Sequence, residues 1–281
     1  MSDLEWTQTQ IRRFKDLDIN IDGLSAGFST PVERNRAFQK IEKDQVRIQR
    51  EKLSRLLAKE RKTGIQSLRE RLELTLFDMG FTGVTTPTII TGHALKRMSI
   101  DADHPLSKQV FWLNGKQCLR PMLAPNLYSL MLDFGRLKQR PIRFFEIGSC
   151  FRKESSGKVH ASEFTMLNLV EMGLPADERE ERLETLARAV MKAAGIEDYS
   201  FETDKSEVYG STLDVVAGPE KTEVSSGAMG PHPLDGEWGI TDTWVGMGFG
   251  LERLLMISKG ENSIGKWSKN LSSIDGIRLN I

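Results

Sequence analysis

The stretch FRKESSGKVHASEF, residues 151–164, joins two apolar runs, IRFFEIGSC (142–150) and TMLNLVEMG (165–173). Each run has the length and the large apolar side chains that are typical of a strand. The joining stretch is crowded with charged and titratable side chains, which are Arg152, Lys153, Glu154, Lys158, His160 and Glu163. We therefore predict a β-hairpin with buried strands, whose loop carries groups for chemistry.

Helices and further strands surround this hairpin. Segments 65–81 and 176–195 repeat apolar residues at helical spacing, and each reaches a glycine, Gly80 or Gly195, that suits a helix end. Strand-like segments fill the second half of the chain, among them YSFET, EVYGSTLDVVAG, KTEVSSGAMG and DTWVGMGFG. Strands joined by hairpins and mixed with helices predict an α+β fold, with a mainly antiparallel sheet flanked by helices.

The N-terminal part of the chain is basic and helical in pattern. Residues 32–62 contain 11 Lys and Arg against 5 Asp and Glu, with apolar residues in a loose helical stripe. Two interpretations remain open: a solvated amphipathic helix, or a basic face for a polyanion. We divide the chain into a helical extension, 1–62, and a main domain, 63–281.

Composition narrows the class of protein. The 281 residues carry 39 basic and 39 acidic side chains, so the formal net charge is zero, but a local basic face still permits a nucleic-acid partner. Two cysteines and four histidines, with no CxxC pair, argue against a zinc site or a disulfide scaffold. No apolar run approaches the roughly 18 residues of a membrane span, and no signal-peptide pattern is present. We expect a cytoplasmic protein without a membrane partner.

Three motifs occur in a fixed order along the chain. They are the helix–strand unit MGFTGVTTP (79–87), the pattern F-R-x-E followed by H-x-x-x-F (151–164), and the pattern G-x-G-x-G-L-E-R (246–253). Alone, Arg-x-Glu is typical of a surface ion pair, and a glycine-rich strand is typical of close backbone packing. Together they resemble motifs 1, 2 and 3 of the class II aminoacyl-tRNA synthetases.

Longer blocks sharpen this resemblance. Within class II, six segments are similar to the pyrrolysyl-tRNA synthetase family: 99–113, 118–128, 144–168, 208–215, 233–240 and 244–255. The likeness runs from about Trp6 to the C-terminus and is closest to short members that lack a separate N-terminal tRNA-binding domain. It implies the class II catalytic fold for 63–281, a tRNA contact for 1–62, and a homodimer built through motif 1.

The resemblance also implies a reaction. An amino acid is activated by ATP as its adenylate and is then transferred to the 3′ end of a cognate tRNA. The attacking carboxylate is already ionised at neutral pH, so the reaction needs no general base. It needs fixed cations and Mg²⁺ to gather two anions and to stabilise charge on the phosphate oxygens.

The implied ATP site combines the second and third motifs. Arg152 matches the arginine that holds the α-phosphate and the substrate carboxylate, and Arg253 matches the one that faces the γ-phosphate and adenine; these two are the predicted catalytic residues. The other ATP-binding positions implied by the resemblance are Glu154 (adenine amino group), His160 (triphosphate), Phe164 (adenine face), Glu223, Ser226 and Gly250. Glu223 and Ser226 are also the implied Mg²⁺ ligands. Gly246, Gly248 and Gly250 allow close approach to the strand.

The implied amino-acid pocket is mostly apolar. It consists of Ala124, Leu127, Tyr128, Met131, Asn168, Val170, Tyr209, Ala228, Trp244 and Gly246. Asn168 is the lone interior amide, and it can both donate to a carbonyl and accept from an amine. This suits a lysine acylated on its ε-nitrogen, such as pyrrolysine, whereas free lysine needs a wall carboxylate that the sequence does not offer.

Alternatives remain open for both site and function. Each pocket position taken alone is typical of ordinary core. The enzyme could be a class II synthetase for another bulky amino acid such as phenylalanine. It could also be a synthetase paralogue that charges no tRNA, although the presence of both Arg152 and Arg253 argues against that.

Overall fold

The computed structural model describes residues 4–24, 27–153, 157–206, 209–279 and 281. The chain divides into two compact units, Met1–Thr63 with Asn270–Ile281, and Gly64–Lys269. In the part of the chain described, no helix is both long and apolar enough to cross a membrane.

The helices and strands follow one another in a mixed order. The helices are α1 Gln8–Asp16, α2 Pro31–Arg55, α3 Gly64–Asp78, α4 Gly92–Arg97, α5 Pro105–Gln109, α6 Ala124–Phe134, α7 Arg179–Ala194, α8 Asp235–Trp238 and α9 Leu251–Ser258. The strands are β1 Thr82–Gly83, β2 Ile89–Thr91, β3 Gln117–Leu119, β4 Ile142–Phe151, β5 Glu163–Met172, β6 Tyr199–Ser206, β7 Gly210–Ala217, β8 Thr222–Gly230, β9 Trp244–Gly250, β10 Ser273–Ile274 and β11 Ile277–Arg278. A π-helical turn, Leu56–Glu60, extends α2.

The first unit is built on α1 and α2. Thr7 begins α1 with a capping box, and Thr30 with Pro31 begins α2, as the physics of helix N-termini favours. Most basic side chains of α2 and its π-helical turn are exposed to solvent, Lys52, Arg55 and Lys59 among them. The basic stretch is therefore a continuous helix with a solvated cationic surface.

The C-terminal residues belong to this first unit. The short hairpin of β10 and β11 brings the Arg278 backbone N–H to Gln49 Oε1 (3.3 Å), and the Arg278 guanidinium pairs with Asp16 (3.2 Å). The sequence division placed 270–281 with the main domain. The difference arises because these contacts join residues more than two hundred positions apart, which local patterns do not reveal.

The second unit contains a seven-stranded sheet in the order β1-β4-β5-β9-β8-β7-β6. Only β1 and β4 run parallel, and the other neighbouring strands are antiparallel. Helices pack against the sheet. The predicted α+β fold is confirmed, and so is the hairpin of β4 and β5, whose ladder ends at the pair Phe151 and Glu163.

Strand alternation divides this sheet into two apolar faces. On one face, side chains such as Leu167 and Met247 pack with α3, α7 and α9 in a large core. On the other face, side chains such as Val170 and Trp244 pack toward α6. Because neighbouring residues of a strand point to opposite faces, every second residue of β5 and β9 reaches the α6 side. This second face carries the candidate site.

Candidate active site

A cavity of about 260 Å³ lies between the α6 face of the sheet, α6 itself, the loop at 159–161 and the start of α9. All of its lining residues belong to the second unit. Strand register explains why they meet. Asn168 pairs with Gly248, Gly248 with Ser226, and Ser226 with Asp214, so one row of side chains crosses the sheet on a single face.

The cavity has a polar end, which we define by Arg152, His160, Phe164, Glu223 and Arg253. At this end Arg152 follows directly after β4. Its Nε donates to the carbonyl of Pro121 (2.9 Å), and its guanidinium carbon lies 5.3 Å from the centroid of the Phe164 ring. The arginine of the second motif is thus held beside the aromatic ring that begins the returning strand.

Arg253 ties three segments of the polar end together. From the first turn of α9, it donates through NH1 to the backbone carbonyl of Glu223 (2.9 Å) and through Nε to that of Val159 (3.3 Å). Its NH2 lies 3.4 Å from Nε2 of His160. The two predicted catalytic arginines therefore face one space from opposite elements.

Glu223 and Ser226 offer oxygen atoms at the mouth of this end. The Glu223 side chain is 54% exposed, and its carboxylate lies 4.0 Å from Arg253 NH1. Partial burial raises the pKa of Glu223; the Arg253 charge opposes this and the Asp214 charge adds to it. Asp214 is only 6% exposed, and its Oδ1 has no hydrogen-bond partner among the residues that the structure describes. This arrangement is rich in hard oxygen donors.

The opposite, apolar end we define by Leu127, Tyr128, Met131, Val170 and Trp244. Helix α6 presents its members at positions three and four apart, so they share one helix face. The Tyr128 ring meets that of Trp244 edge to face, with centroids 5.7 Å apart. This end of the cavity therefore has rigid, mostly aromatic and aliphatic walls.

Asn168 is the polar exception in these walls. Its Oδ1 is buried and makes no hydrogen bond to any described residue. The amide lies against Gly248 of the neighbouring strand, where an added Cβ would come within 2.9 Å of Oδ1. A side chain at position 248 would therefore displace the Asn168 amide, whose oxygen could accept a hydrogen bond from a bound molecule.

Comparison with known proteins matches this geometry. The family profile described as tRNA synthetases class II core domain (F) matches residues 51–275. A crystal structure of the pyrrolysyl-tRNA synthetase from Desulfitobacterium hafniense is 51% identical, covers 99% of both chains and superposes with a TM-score of 0.87. A second structure from that organism, PylSc, a pyrrolysyl tRNA synthetase, is 49% identical, with 99% of this chain and 96% of that chain covered, at a TM-score of 0.84.

The chain belongs to the pyrrolysyl-tRNA synthetase family of class II.

A curated relative outside this family shares a smaller region. The chloroplastic/mitochondrial histidine–tRNA ligase of Arabidopsis thaliana is 28% identical over 109 residues, which is 38% of this chain and 22% of the relative. The match thus spans about a fifth of that relative's length.

The cavity gathers the residues that the sequence selected. Of the positions carried over from the pyrrolysyl-tRNA synthetase family, those that line it are Ala124, Leu127, Tyr128, Met131, Arg152, His160, Phe164, Asn168, Val170, Tyr209, Glu223, Ser226, Ala228, Trp244, Gly246, Gly250 and Arg253. Glu154 lies outside the described residues, and its contact with adenine stays a prediction. The structure thus brings these side chains together around one cavity.

Several lining residues were missed by the sequence reasoning. They are Met122, Val159, Ala161, Met166, Leu169, Val224, Ser225, Gly227, Met247, Glu252 and Ile264. Strand alternation could have found Met166, which lies between Phe164 and Asn168 on the same face. Glu252 stands inside the third motif. It is buried, both of its carboxylate oxygens accept from the Thr165 backbone N–H (2.9 Å), and burial raises its pKa.

A buried ion pair supports the polar end from behind. Arg120 NH1 lies 2.8 Å from Glu146 Oε1, and both side chains are almost fully buried. Arg120 Nε also donates to the carbonyl of Ser149 (2.8 Å). The next residue, Pro121, provides the carbonyl that receives Arg152, so this pair fixes the backbone that positions the second-motif arginine. No local sequence pattern predicts such a pair, because Arg120 directly follows β3 whereas Glu146 lies on β4.

Proposed function

We propose that the protein is an ATP-dependent aminoacyl-tRNA ligase. It activates L-pyrrolysine as the adenylate and transfers it to the 3′ end of a cognate tRNA in the cytoplasm. The observation that carries the proposal is Asn168, which lines a cavity with two arginines at its polar end and whose buried Oδ1 has no hydrogen-bond partner among the described residues. The 51% identity to the Desulfitobacterium hafniense pyrrolysyl-tRNA synthetase over nearly the whole chain supports the same substrate.

In the first step, the amino-acid carboxylate attacks the α-phosphorus of ATP and pyrophosphate leaves. The carboxylate is already an anion, so no side chain has to remove a proton. Arg152 is suited to hold both anions, because its planar guanidinium can donate two parallel hydrogen bonds. Its Nε donates to the Pro121 carbonyl, and the side chain lines the polar end of the cavity.

Arg253, His160 and Phe164 complete the nucleotide site. Arg253 already lies beside His160, so the two can receive the outer phosphates together. The Phe164 ring offers a flat apolar surface for adenine, and the Arg152 guanidinium lies over the ring, 5.3 Å from its centroid. Gly250 keeps the end of β9 open to the nucleotide. In the second step the 3′-hydroxyl of tRNA attacks the activated carbonyl, and AMP leaves.

The donor set beside Arg253 fits Mg²⁺. Glu223 and Ser226 supply a carboxylate and a hydroxyl, which are the hard oxygen ligands that this ion prefers. The buried, unpartnered oxygen of Asp214 lies directly across the ladder from Ser226 and adds negative charge behind them. Bound there with ATP, Mg²⁺ would neutralise phosphate charge.

Amino-acid selection rests on the apolar end. Free lysine carries an ammonium group, and burying it without a carboxylate is costly. The carboxylates that line the cavity, Glu223 and Glu252, are engaged with Arg253 and with the Thr165 backbone. An acyl group on the ε-nitrogen removes the charge and supplies an amide that Asn168 can recognise on both its oxygen and its nitrogen.

Side-by-side aminoacylation tests the proposal. Purified protein, ATP, Mg²⁺ and candidate tRNAs are combined with pyrrolysine, lysine or phenylalanine, and charged tRNA is measured. We expect charging with pyrrolysine and none above background with lysine. Charging with phenylalanine would select the alternative synthetase, and no charging with any amino acid would select the paralogue without tRNA activity.

The basic helix is proposed as a tRNA contact. Lys52, Arg55 and Lys59 are exposed on α2 and its π-helical turn. Reversing all three to Glu should raise the KM for tRNA and weaken its salt dependence, with adenylate formation unchanged. The matched control reverses Lys138, Lys192 and Lys205, which are exposed on the second unit. Equal tRNA KM values for the two triple variants would contradict this contact.

A homodimer is proposed through α3. Leu74 and Phe77 on this helix are 57% and 52% exposed, which is unusual for two large apolar side chains so close together. Burial against a second copy would remove them from water. Light scattering at micromolar concentration should give twice the mass of the chain, and a Phe77→Glu variant should shift it to the monomer.

A further inference from the structure

The segment 233–240, PLDGEWGI, takes no part in the proposed function, yet it places a carboxylate behind the apolar end of the cavity. Asp235 begins the short helix α8 and is 3% exposed. It does not line the cavity itself. Burial of a carboxylate is costly in free energy unless hydrogen bonds compensate for it, so the groups that bond to Asp235 must offset this cost.

One partner is the indole of Trp244. Asp235 Oδ2 accepts from Trp244 Nε1–H at 2.9 Å, in a fully buried hydrogen bond, and from the His232 backbone N–H at 2.8 Å. Hydrogen bonds to a charged acceptor are stronger than those between neutral groups. Position 230, which pairs with Trp244, is a glycine, and a side chain there would collide with the indole. The indole is therefore held at its N–H by Asp235, and it fits there only because position 230 carries no side chain.

Tyr128 packs against the same indole. Its ring lies against both Trp238 and Trp244, with centroid distances of 5.4 and 5.7 Å. Asp235 Oδ1 and the Tyr128 hydroxyl each make no hydrogen bond with described residues. Burial raises the pKa of Tyr128 above its ordinary range, and Tyr209 and Asp235 add to the effect. Tyr128 is therefore positioned through its contact with the Trp244 ring.

The turn that carries Asp235, residues 232–235, also contacts Tyr209 through His232. His232 Nδ1 accepts from the Leu234 backbone N–H (3.2 Å), so the proton of the neutral ring lies on Nε2. That N–H donates to the backbone carbonyl of Tyr209. The turn itself is held by Asp235 N–H to the His232 carbonyl (2.9 Å) and Ile240 N–H to the Asp235 carbonyl (3.0 Å). The carboxylate is thus placed by a rigid loop rather than by the residues it orients.

We propose that Asp235 is a positioning residue for amino-acid selection: its carboxylate fixes the Trp244 indole, and through that ring the packing of Tyr128, so that the cavity keeps one shape around the distal part of the substrate. The assignment rests on the proposed function for the identity of that substrate. Among the described residues, the Asp235 carboxylate accepts hydrogen bonds from Trp244 and His232, neither of which belongs to the polar end, so its removal should affect binding of the amino acid and leave binding of ATP alone.

Two variants separate the parts of this role. In Asp235→Ala both hydrogen bonds to Oδ2 are lost. In Asp235→Asn the amide oxygen can still accept from Trp244 and His232, whereas the negative charge that strengthens these hydrogen bonds is gone. Asp242→Asn is the matched control, because Asp242 is a nearby carboxylate that pairs with Arg140 (2.6 Å) rather than with a cavity residue. Pyrophosphate exchange gives the KM values for pyrrolysine and for ATP.

A second readout follows the Trp244 ring directly. In a ¹H–¹⁵N spectrum, the Trp244 indole resonance is assigned by its absence from Trp244→Phe. We expect it to move in Asp235→Ala and to stay near its wild-type position in Asp235→Asn. We expect the KM for pyrrolysine to rise about tenfold or more in Asp235→Ala and about threefold in Asp235→Asn. The KM for ATP should stay within about twofold throughout, which a general loss of structure would not allow.

Three results would overturn the assignment. They are an unchanged pyrrolysine KM in Asp235→Asn, an unmoved Trp244 resonance in folded Asp235→Ala, and parallel rises of both KM values. Thermal melts show whether Asp235→Ala is folded, and if it is not, Asp235→Asn decides alone. If the wild type does not activate pyrrolysine, the proposed function fails instead, and the same variants are compared for the amino acid that it does activate.

Discussion

At the polar end of the cavity, charged side chains are anchored on the backbone: Arg152 donates to the Pro121 carbonyl, and Arg253 donates to the carbonyls of Val159 and Glu223. At the apolar end, the single amide of Asn168 keeps a buried oxygen without a partner among the described residues. In the proposed function, the first arrangement fixes cations for the reaction at phosphate, and the second selects the side chain of the amino acid. We therefore propose that catalysis and selection are divided between the two ends of the cavity.

The largest expected effect comes from removing a cation at the polar end. Arg152→Ala should lower the rate of pyrophosphate exchange by about 10²- to 10³-fold, because a fixed donor to developing charge is lost. Arg152→Lys should recover only part of this, since lysine lacks the planar fork. The loss should be the same for every amino acid tested. A loss of rate confined to pyrrolysine would mean that Arg152 acts in amino-acid selection, and this would contradict the division of roles between the two ends of the cavity.

A smaller and more selective effect is expected at the apolar end. Asn168→Ala should raise the KM for pyrrolysine roughly tenfold, because the substrate amide then loses its buried partner. The KM for ATP should not change. Asn168→Asp is the matched comparison, since it keeps the size but exchanges an amide for a carboxylate and should favour an amine-ended substrate over an acylated one. Wild-type kinetics in Asn168→Ala would show that the pocket does not depend on this amide.

Crowding Asn168 from the next strand should act in the same direction. A Cβ at position 248 would meet Asn168 Oδ1 at 2.9 Å and Met166 Cε at 3.1 Å. Gly248→Ala should therefore raise the pyrrolysine KM roughly fivefold, as moderate overpacking displaces the amide. Gly115→Ala serves as the control, because nothing lies within 4 Å of a Cβ there. Equal KM values in the two variants would mean that Asn168 tolerates displacement.

The smallest effect concerns stability rather than activity. Burial raises the pKa of Glu252 in the folded chain, so folding favours its protonated form. The cost of its ionisation is absent below the unfolded pKa and grows as pH rises through the folded one. The melting temperature of Glu252→Gln relative to that of the wild type should therefore rise between acidic and neutral pH. A difference that does not vary with pH would contradict this.

The sequence predicted residues that line both ends of the cavity, but it did not predict the buried residues that position them. Residues inside motifs, such as Arg152 and Arg253, or spaced at two along one strand, such as Asn168 and Val170, follow from order and alternation. The roles of Arg120 and Asp235 do not follow from such patterns. Arg120 meets Glu146, and Asp235 meets Trp244, only through long-range packing that no local sequence pattern specifies. The grouping of 270–281 with the N-terminal helices depends on contacts of the same long-range kind.

The most direct test of selection at Asn168 is aminoacylation of cognate tRNA by the wild type and Asn168→Ala, with pyrrolysine and lysine side by side. The wild type should charge pyrrolysine and leave lysine at background, and the variant should lose most of that preference while keeping the KM for ATP. Equal charging with lysine by the wild type, or an undiminished preference in Asn168→Ala, would contradict the assignment of selection to this amide.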